Sequence, residues 1–305
     1  MIHIDFAEVK TARLAYKIFG SGPIEIVIET ALGSCMGEWI HIAQKLSDSY
    51  TVLIYERAGI NLSCKSSIER TPMNIAQELR NLLDLVHHKD KIIIIAHSQG
   101  GLYAQQFARL YPEMLKGIIL IDPLSANDNK FKELLTPDEY KKSGVEKSSH
   151  LGLAKTLAKM HLGFILKALM KNAPPLYYYD FEAEAKEYIL NSFTKAETYE
   201  TAIAEDNLAH DDRYINCLKN KGDFPDTPLV LITHTSELAV KEIMEFGGAS
   251  KDTAKKVENV WQNIMKGYLE FSSKSEFIQA KNSCHFIHLT EFGIIEKALS
   301  KLIVD

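Results

Sequence analysis

The chain has 305 residues, 46% of them hydrophobic, and a formal net charge of -5 from 35 Lys and Arg against 40 Asp and Glu. That length and apolar content suit one large α/β core with an insertion, and the acidic balance without a long basic block excludes nucleic acid as an expected partner. Four scattered cysteines (Cys35, Cys64, Cys217, Cys284) form no C-x-x-C pair and read as free thiols in a reducing compartment.

The stretch Met1 to Phe6 has no basic segment followed by an apolar core, so no signal peptide is expected and the cytoplasm is the expected compartment. No apolar run approaches the roughly 18 residues that would cross a bilayer. His3 to Phe19 alternates loosely around Lys10-Thr11-Ala12 and reads as an antiparallel hairpin at a sheet edge. Gly20-Ser21-Gly22-Pro23 breaks the chain, and Ile24 to Glu29 forms the next strand. Thr30-Ala31-Leu32-Gly33-Ser34 is then a loop of small residues able to present backbone amides. A helix through Trp39, Ile42, Ala43 and Leu46 leads to the strand Val52 to Tyr55 and to the turn Glu56-Arg57-Ala58-Gly59, whose charged pair reads as a hydrogen-bonded brace. Ile75, Leu79, Leu82, Leu83 and Val86 recur at helical spacing.

Ile92 to Ile95 is an unbroken β-branched run, the pattern of a parallel strand buried on both faces. Tyr103, Ala104, Phe107, Ala108 and Tyr111 then form one helical stripe up to Pro112. Between strand and helix stands Ala96-His97-Ser98-Gln99-Gly100-Gly101, where small residues permit a sharp reversal with Ser98 at its tip. This is the strand, turn, helix context of a G-x-S-x-G nucleophile, with alanine for the first glycine. His97 is expected to pack or hydrogen-bond beside the turn.

Gly117 to Ile121 is another apolar strand, ending in Asp122-Pro123. From about Leu124 to Asp226 the strand rhythm stops and helical stripes replace it, notably around Leu153 to Met170, with Pro174-Pro175 and Tyr177-Tyr178-Tyr179 as an aromatic hinge. An insertion of that size between sheet strands reads as a cap. Leu229 to Ile232 resumes the sheet, a helix runs through Val257, Val260, Trp261, Ile264 and Met265, and Phe277 to Ala280 is the last strand. Cys284-His285-Phe286-Ile287-His288 follows as a turn, with a final helix from about Glu291. The expected fold class is therefore α/β: a mostly parallel twisted sheet with helices on both faces, formed by residues 1–123 and 227–305, with a helical cap at 124–226.

A serine hydroxyl needs a base, itself oriented by a carboxylate, to act as a nucleophile at neutral pH. His285, after the last strand, is the candidate base. Two acids follow the serine and precede that histidine: Asp122, directly at a strand end and held by Pro123, is favoured over Glu237, which lies further into its loop. The amides of Leu32 and Gln99 are the candidate oxyanion donors. His288 lies three positions after His285, but no third ligand at metal spacing accompanies them, so no metal and no cofactor is expected.

On the residues Ala96-His97-Ser98-Gln99-Gly100-Gly101, Glu56-Arg57-Ala58-Gly59, Ile121-Asp122-Pro123 and Cys284-His285-Phe286-Ile287-His288-Leu289, the chain resembles the α/β-hydrolase superfamily, and more narrowly its small bacterial esterase-like members. The resemblance covers nearly the whole chain except the cap. It implies a Ser98-His285-acid triad, an acyl-enzyme and a carboxylic ester substrate of small or medium acyl group. Thr30-Ala31 stands where many relatives carry a histidine-glycine pair. Epoxide hydrolases and haloalkane dehalogenases of this fold use an aspartate at the elbow, so Ser98 argues against both. Acyl transfer, carbon-carbon bond hydrolysis, cofactor-free haloperoxidation and a receptor role with weak turnover are the rival readings. The expected partners are a small-molecule substrate and, at most, a second copy of the chain as a homodimer.

Overall fold

The computed structural model describes residues 3–143 and 148–302, so Met1 and Ile2 of the N-terminal stretch lie outside it. Eight strands form one sheet: β1 (Asp5–Glu8), β2 (Arg13–Phe19), β3 (Ile24–Glu29), β4 (Val52–Tyr55), β5 (His88–His97), β6 (Leu115–Ile121), β7 (Leu229–Thr233) and β8 (Ser275–Gln279). Their order across the sheet is β1-β2-β4-β3-β5-β6-β7-β8. β1 pairs antiparallel with β2, and β2 antiparallel with β4, as the hairpin reading expects. Every other pairing is parallel.

The isoleucine run explains why β5 lies at the centre. Ile92, Ile94 and Ala96 face one hydrophobic cluster with Ile118 and Leu120 of β6, while Ile93 and Ile95 face the other with Ile119 and Ile121. With period-two side chains and helices on both faces, a central strand has no polar side to offer. Each fully buried isoleucine contributes about 1.5–3 kcal/mol relative to exposure.

Strand order also locates the site. From β3 the chain crosses outward to β4, whereas from β5 it crosses to β6 on the opposite side, so the direction of winding reverses between the adjacent strands β3 and β5. Such a reversal opens a crevice at the carboxyl ends of the two strands. The loop Thr30 to Ser34 and the Ser98 turn are the segments that leave those ends.

Between β6 and β7 there is no strand among the described residues, only helices, including Ser148–Lys159, Gly163–Met170, Ala183–Ser192 and Ala196–Ala209. The stripe expected around Leu153 to Met170 is therefore two helices, divided near His161, whose φ is +59°. Leu176, Phe181, Ala185, Ile189 and Leu190 of this segment pack on Cys35, Ile60 and Leu289 of the sheet region. The tyrosine triplet does not act as one unit: Tyr177 is exposed, Tyr178 stacks on Phe286 and Tyr179 on His41.

Some boundaries differ from the sequence reading. β8 ends at Gln279 rather than Ala280, and Ile287–Thr290 forms a short helix where a turn is expected, so His288 is helical and buried. The helix Ser236–Gly247 carries Glu237 in its first turn, which agrees with the alternative reading of Glu237 as a carboxylate at a helix N-terminus. All four cysteines are free, as expected; Cys35 is buried, whereas Cys64 and Cys217 are exposed. Among the described residues, no helix is long and apolar enough to cross a membrane.

Candidate active site

Ser98 sits between β5 and the helix Gly100–Leu110 with φ +52°, a left-handed conformation that costs a non-glycine residue energy and is kept only where surroundings enforce it. They do. The Ser98 N–H donates to the Ile121 carbonyl at 3.1 Å, and the Ser98 carbonyl accepts from Gly101 at 2.9 Å and Leu124 at 2.8 Å. The two following glycines are required by contact. A Cβ on Gly100 would lie 2.6 Å from the Thr30 carbonyl oxygen, and one on Gly101 would lie 2.6 Å from Pro123 Cβ. The helix is thus drawn against the ends of both neighbouring strands.

Asp122 follows β6 with φ +46° and is almost fully buried. His285 Nδ1 donates to its Oδ2 at 2.7 Å. His97, next to Ser98, donates from Nε2 to the His285 carbonyl at 2.9 Å, and the two rings lie 4.7 Å apart. Burial first, and then the nearby His285, push His97 down to about 3, so it is neutral and acts as a brace. Sequence-distant Asp122 and His285 thus meet beside the serine turn. Glu237 does not join them: it lies in the first turn of Ser236–Gly247, and no hydrogen bond links it to His285 among the described residues. Nor does one link Ser98 Oγ to His285, a contact that in ligand-free serine sites commonly tightens only with substrate.

The Thr30 to Ser34 loop is set by Arg57. Its Nη1 donates to the Thr30 carbonyl at 2.7 Å and its Nη2 to the Ala31 carbonyl at 2.8 Å. In a trans peptide the C=O and the next N–H point in opposite directions, so the Leu32 amide is turned away from Arg57. Neither the Leu32 nor the Gln99 amide donates to a protein carbonyl among the described residues. Arg57 also pairs with Glu29 at 2.9 Å and with Glu205, on helix Ala196–Ala209, at 2.9 Å. The brace expected of Arg57 is therefore real, and it reaches into the helical segment.

Two residues missed by the sequence reading, His234 against Asp122 and Glu258 beyond it, extend this cluster. The His234 backbone N–H donates to Asp122 Oδ1 at 3.0 Å, and its ring Nδ1 lies 3.0 Å from Oδ2. Its Nε2 lies 2.9 Å from Glu258 Oε2. Burial alone would raise the Asp122 carboxyl, but the His234 charge and the hydrogen bonds from both rings outweigh it and hold the group well below the usual carboxylate range. For His234, burial works against the charged form, yet Asp122 and Glu258 push it up to about 10. The available signal was a histidine directly after a strand at the edge that already carried Asp122 and His285. Asp122, His234, Glu258 and His285 also line one cavity of about 230 Å³, with Phe131, Ile243, Val257 and Trp261 as its main apolar wall.

Residues 26–147 match the family model described as alpha/beta hydrolase fold. Over that part the chain is similar to the family, and the chain as a whole has the α/β-hydrolase fold. Among its relatives is the uncharacterized protein YqjL of Bacillus subtilis, 23% identical over 289 residues, which span 92% of this chain and 83% of that one. The fold is shared with a thermophilic esterase from Thermogutta terrifontis, at a TM-score of 0.62 and 16% identity, covering 97% of both chains. It is also shared with the Cif epoxide hydrolase from Acinetobacter nosocomialis, at a TM-score of 0.69 and 16% identity, covering 99% of this chain and 88% of the other.

Proposed function

We propose that the chain is a serine hydrolase acting on carboxylic esters of small or medium acyl groups. The observation that carries this reading is the 2.7 Å bond from His285 Nδ1 to buried Asp122 beside a serine held at φ +52°. Held by that bond, the imidazole has its Nδ1 protonated and its Nε2 lone pair available as a base. Ser98 Oγ attacks the ester carbonyl as its proton passes to His285 Nε2. The amides of Leu32 and Gln99 receive the oxyanion, the alcohol leaves with the proton, and water releases the acid from the acyl-enzyme by the same steps in reverse roles. No metal or cofactor takes part.

Serine at the turn favours this chemistry over epoxide opening, despite the fold shared with an epoxide hydrolase. The helices of 124–226 act as a cap: Tyr178 donates to Glu242 at 2.6 Å while stacking on Phe286, closing the segment over the turn that carries His285.

The test is hydrolysis of p-nitrophenyl esters of increasing acyl length by the parent and by Ser98→Ala. The expected result is turnover that falls about a thousandfold or more in the variant, with the chain-length optimum at short acyl groups. Folded parent protein without turnover, or a variant retaining the parent rate, overturns the reading.

A further inference from the structure

The triad mechanism uses one imidazole on Asp122, yet the structure puts two there. Asp122 Oδ2 lies 2.7 Å from His285 Nδ1 and 3.0 Å from His234 Nδ1. The second ring is held on every side. Its Nε2 faces Glu258 Oε2 at 2.9 Å, Trp261 stacks on it with centroids 4.0 Å apart, and its carbonyl accepts from Gln279 at 3.3 Å. Glu258 is itself fixed by Gln262, which donates to Oε1 at 2.7 Å. A neutral imidazole offers one N–H and one lone pair, so a carboxylate oxygen at each ring nitrogen is satisfied only by the imidazolium. With both carboxyl groups ionised, the geometry calls for a cation between Asp122 and Glu258.

We propose that His234, fixed by Glu258 and Trp261, is a positioning residue that holds a standing positive charge on Asp122 and thereby tunes the basicity of His285. This rests on the triad reading above. Two rings draw on one carboxylate oxygen, so charge on His234 weakens the support Asp122 gives to a proton on His285. The His234 backbone N–H, bound to Asp122 Oδ1, also prevents the carboxylate from rotating away.

The other titratable groups facing this cluster are few. His97 and His288, packed together beside His285 with rings 4.5 Å apart, are both buried and pushed down, which keeps them uncharged. From the cavity side, burial and the neighbouring Glu242 push the Cys284 thiol up to about 12. Glu242, which lines the cavity, accepts a hydrogen bond from Tyr178. The charges close to His285 are therefore those of Asp122, His234, Glu258 and Glu242.

The experiment is the pH dependence of kcat/KM for p-nitrophenyl acetate with the parent, His234→Gln and Glu258→Gln. Deleting the cation lets His285 hold its proton more tightly, so the acid limb of His234→Gln moves up by about one pH unit. Deleting the outer carboxylate leaves the cation less balanced, so the limb of Glu258→Gln moves down by a smaller amount. A role confined to structure lowers the rate without moving the limbs in opposite directions, and that result overturns the proposal. A second readout needs no turnover: the ¹⁵N imidazole spectrum of the intact chain should show His234 protonated on both nitrogens at pH 7. A single neutral tautomer there overturns the proposal even where activity cannot be read. The Ser98→Ala comparison tests the triad separately, so failure of the tuning role and failure of the triad give different results.

Discussion

Two buried ionic clusters flank Ser98, and they are built to opposite ends. On the side of the 30–34 loop, Arg57 joins Glu29, Glu205 and the carbonyls of Thr30 and Ala31, and Arg70 joins Glu205 and Glu78. Guanidinium groups stay charged at any working pH, and Arg57 and Glu205 have essentially no exposure, so this cluster holds fixed charges and a fixed loop. On the other side, Asp122, His285, His234 and Glu258 alternate carboxylate with imidazole and open onto a cavity. Its cationic side chain is an imidazole, His234, held between two carboxyl groups, and a second imidazole, His285, shares the inner one. On the proposed triad the difference separates scaffold from chemistry: arginine where a backbone must stay put, and His285 where a proton must move.

Substitution can break that division. The largest effect is expected for Asp122→Asn, which keeps the shape and removes the charge; turnover should fall by about 10⁴-fold while the protein stays folded. Glu237→Gln in parallel should leave the rate at the parent value. Were Glu237→Gln the damaging change, the imidazole-carboxylate cluster would not be the chemical one.

Arg57→Met attacks the opposite side. It leaves buried Glu29 and Glu205 short of a cation, and removal of one partner from a buried ion pair costs about 3–5 kcal/mol. Urea unfolding should show that loss. An unchanged midpoint would mean that the guanidinium is dispensable to the scaffold.

The smallest effect sharpens the comparison by using a buried carboxyl that has no guanidinium. Burial is the main cause that raises Glu38 from 4.5 to about 8, with Glu56 adding to it. A carboxyl raised in the folded state stabilises the fold fully below its unfolded value and loses that contribution as pH rises through the folded value. Parent stability should therefore decline between about pH 4.5 and pH 8 through this group. Glu38→Gln should be more stable than the parent at pH 9 by on the order of 1 kcal/mol or more, with the gap closing at pH 4. Equal slopes in parent and variant would show that Glu38 is not held protonated.

How much was legible follows from the range of each interaction. Ile92 to Ile95 announces a strand buried on both faces, and Ala96 to Gly101 announces a sharp turn with serine at its tip, because both properties belong to consecutive side chains. His285 was picked out as the candidate base by its place after the last strand, and the structure brings it to Asp122. The weight placed on Asp122 over Glu237 agrees with the hydrogen bond from His285, though the reading rested only on closeness to the strand end. The helix Ser236–Gly247 was legible only through Glu237 as a carboxylate at a helix N-terminus, and the helical turn that buries His288 went unread.

What the chain order alone determined, then, is the alternation of strands and helices and the serine turn, since periodicity and small residues act over neighbours. Only the tertiary structure decided which polar groups meet. Glu205 reaches Arg57 across 148 positions, and Glu258 and Asp122 close on the two nitrogens of His234 from 24 and 112 positions away. No local pattern encodes those pairings. They exist because a buried charge is tolerated only against a partner, and the packing of helices on the sheet supplies it.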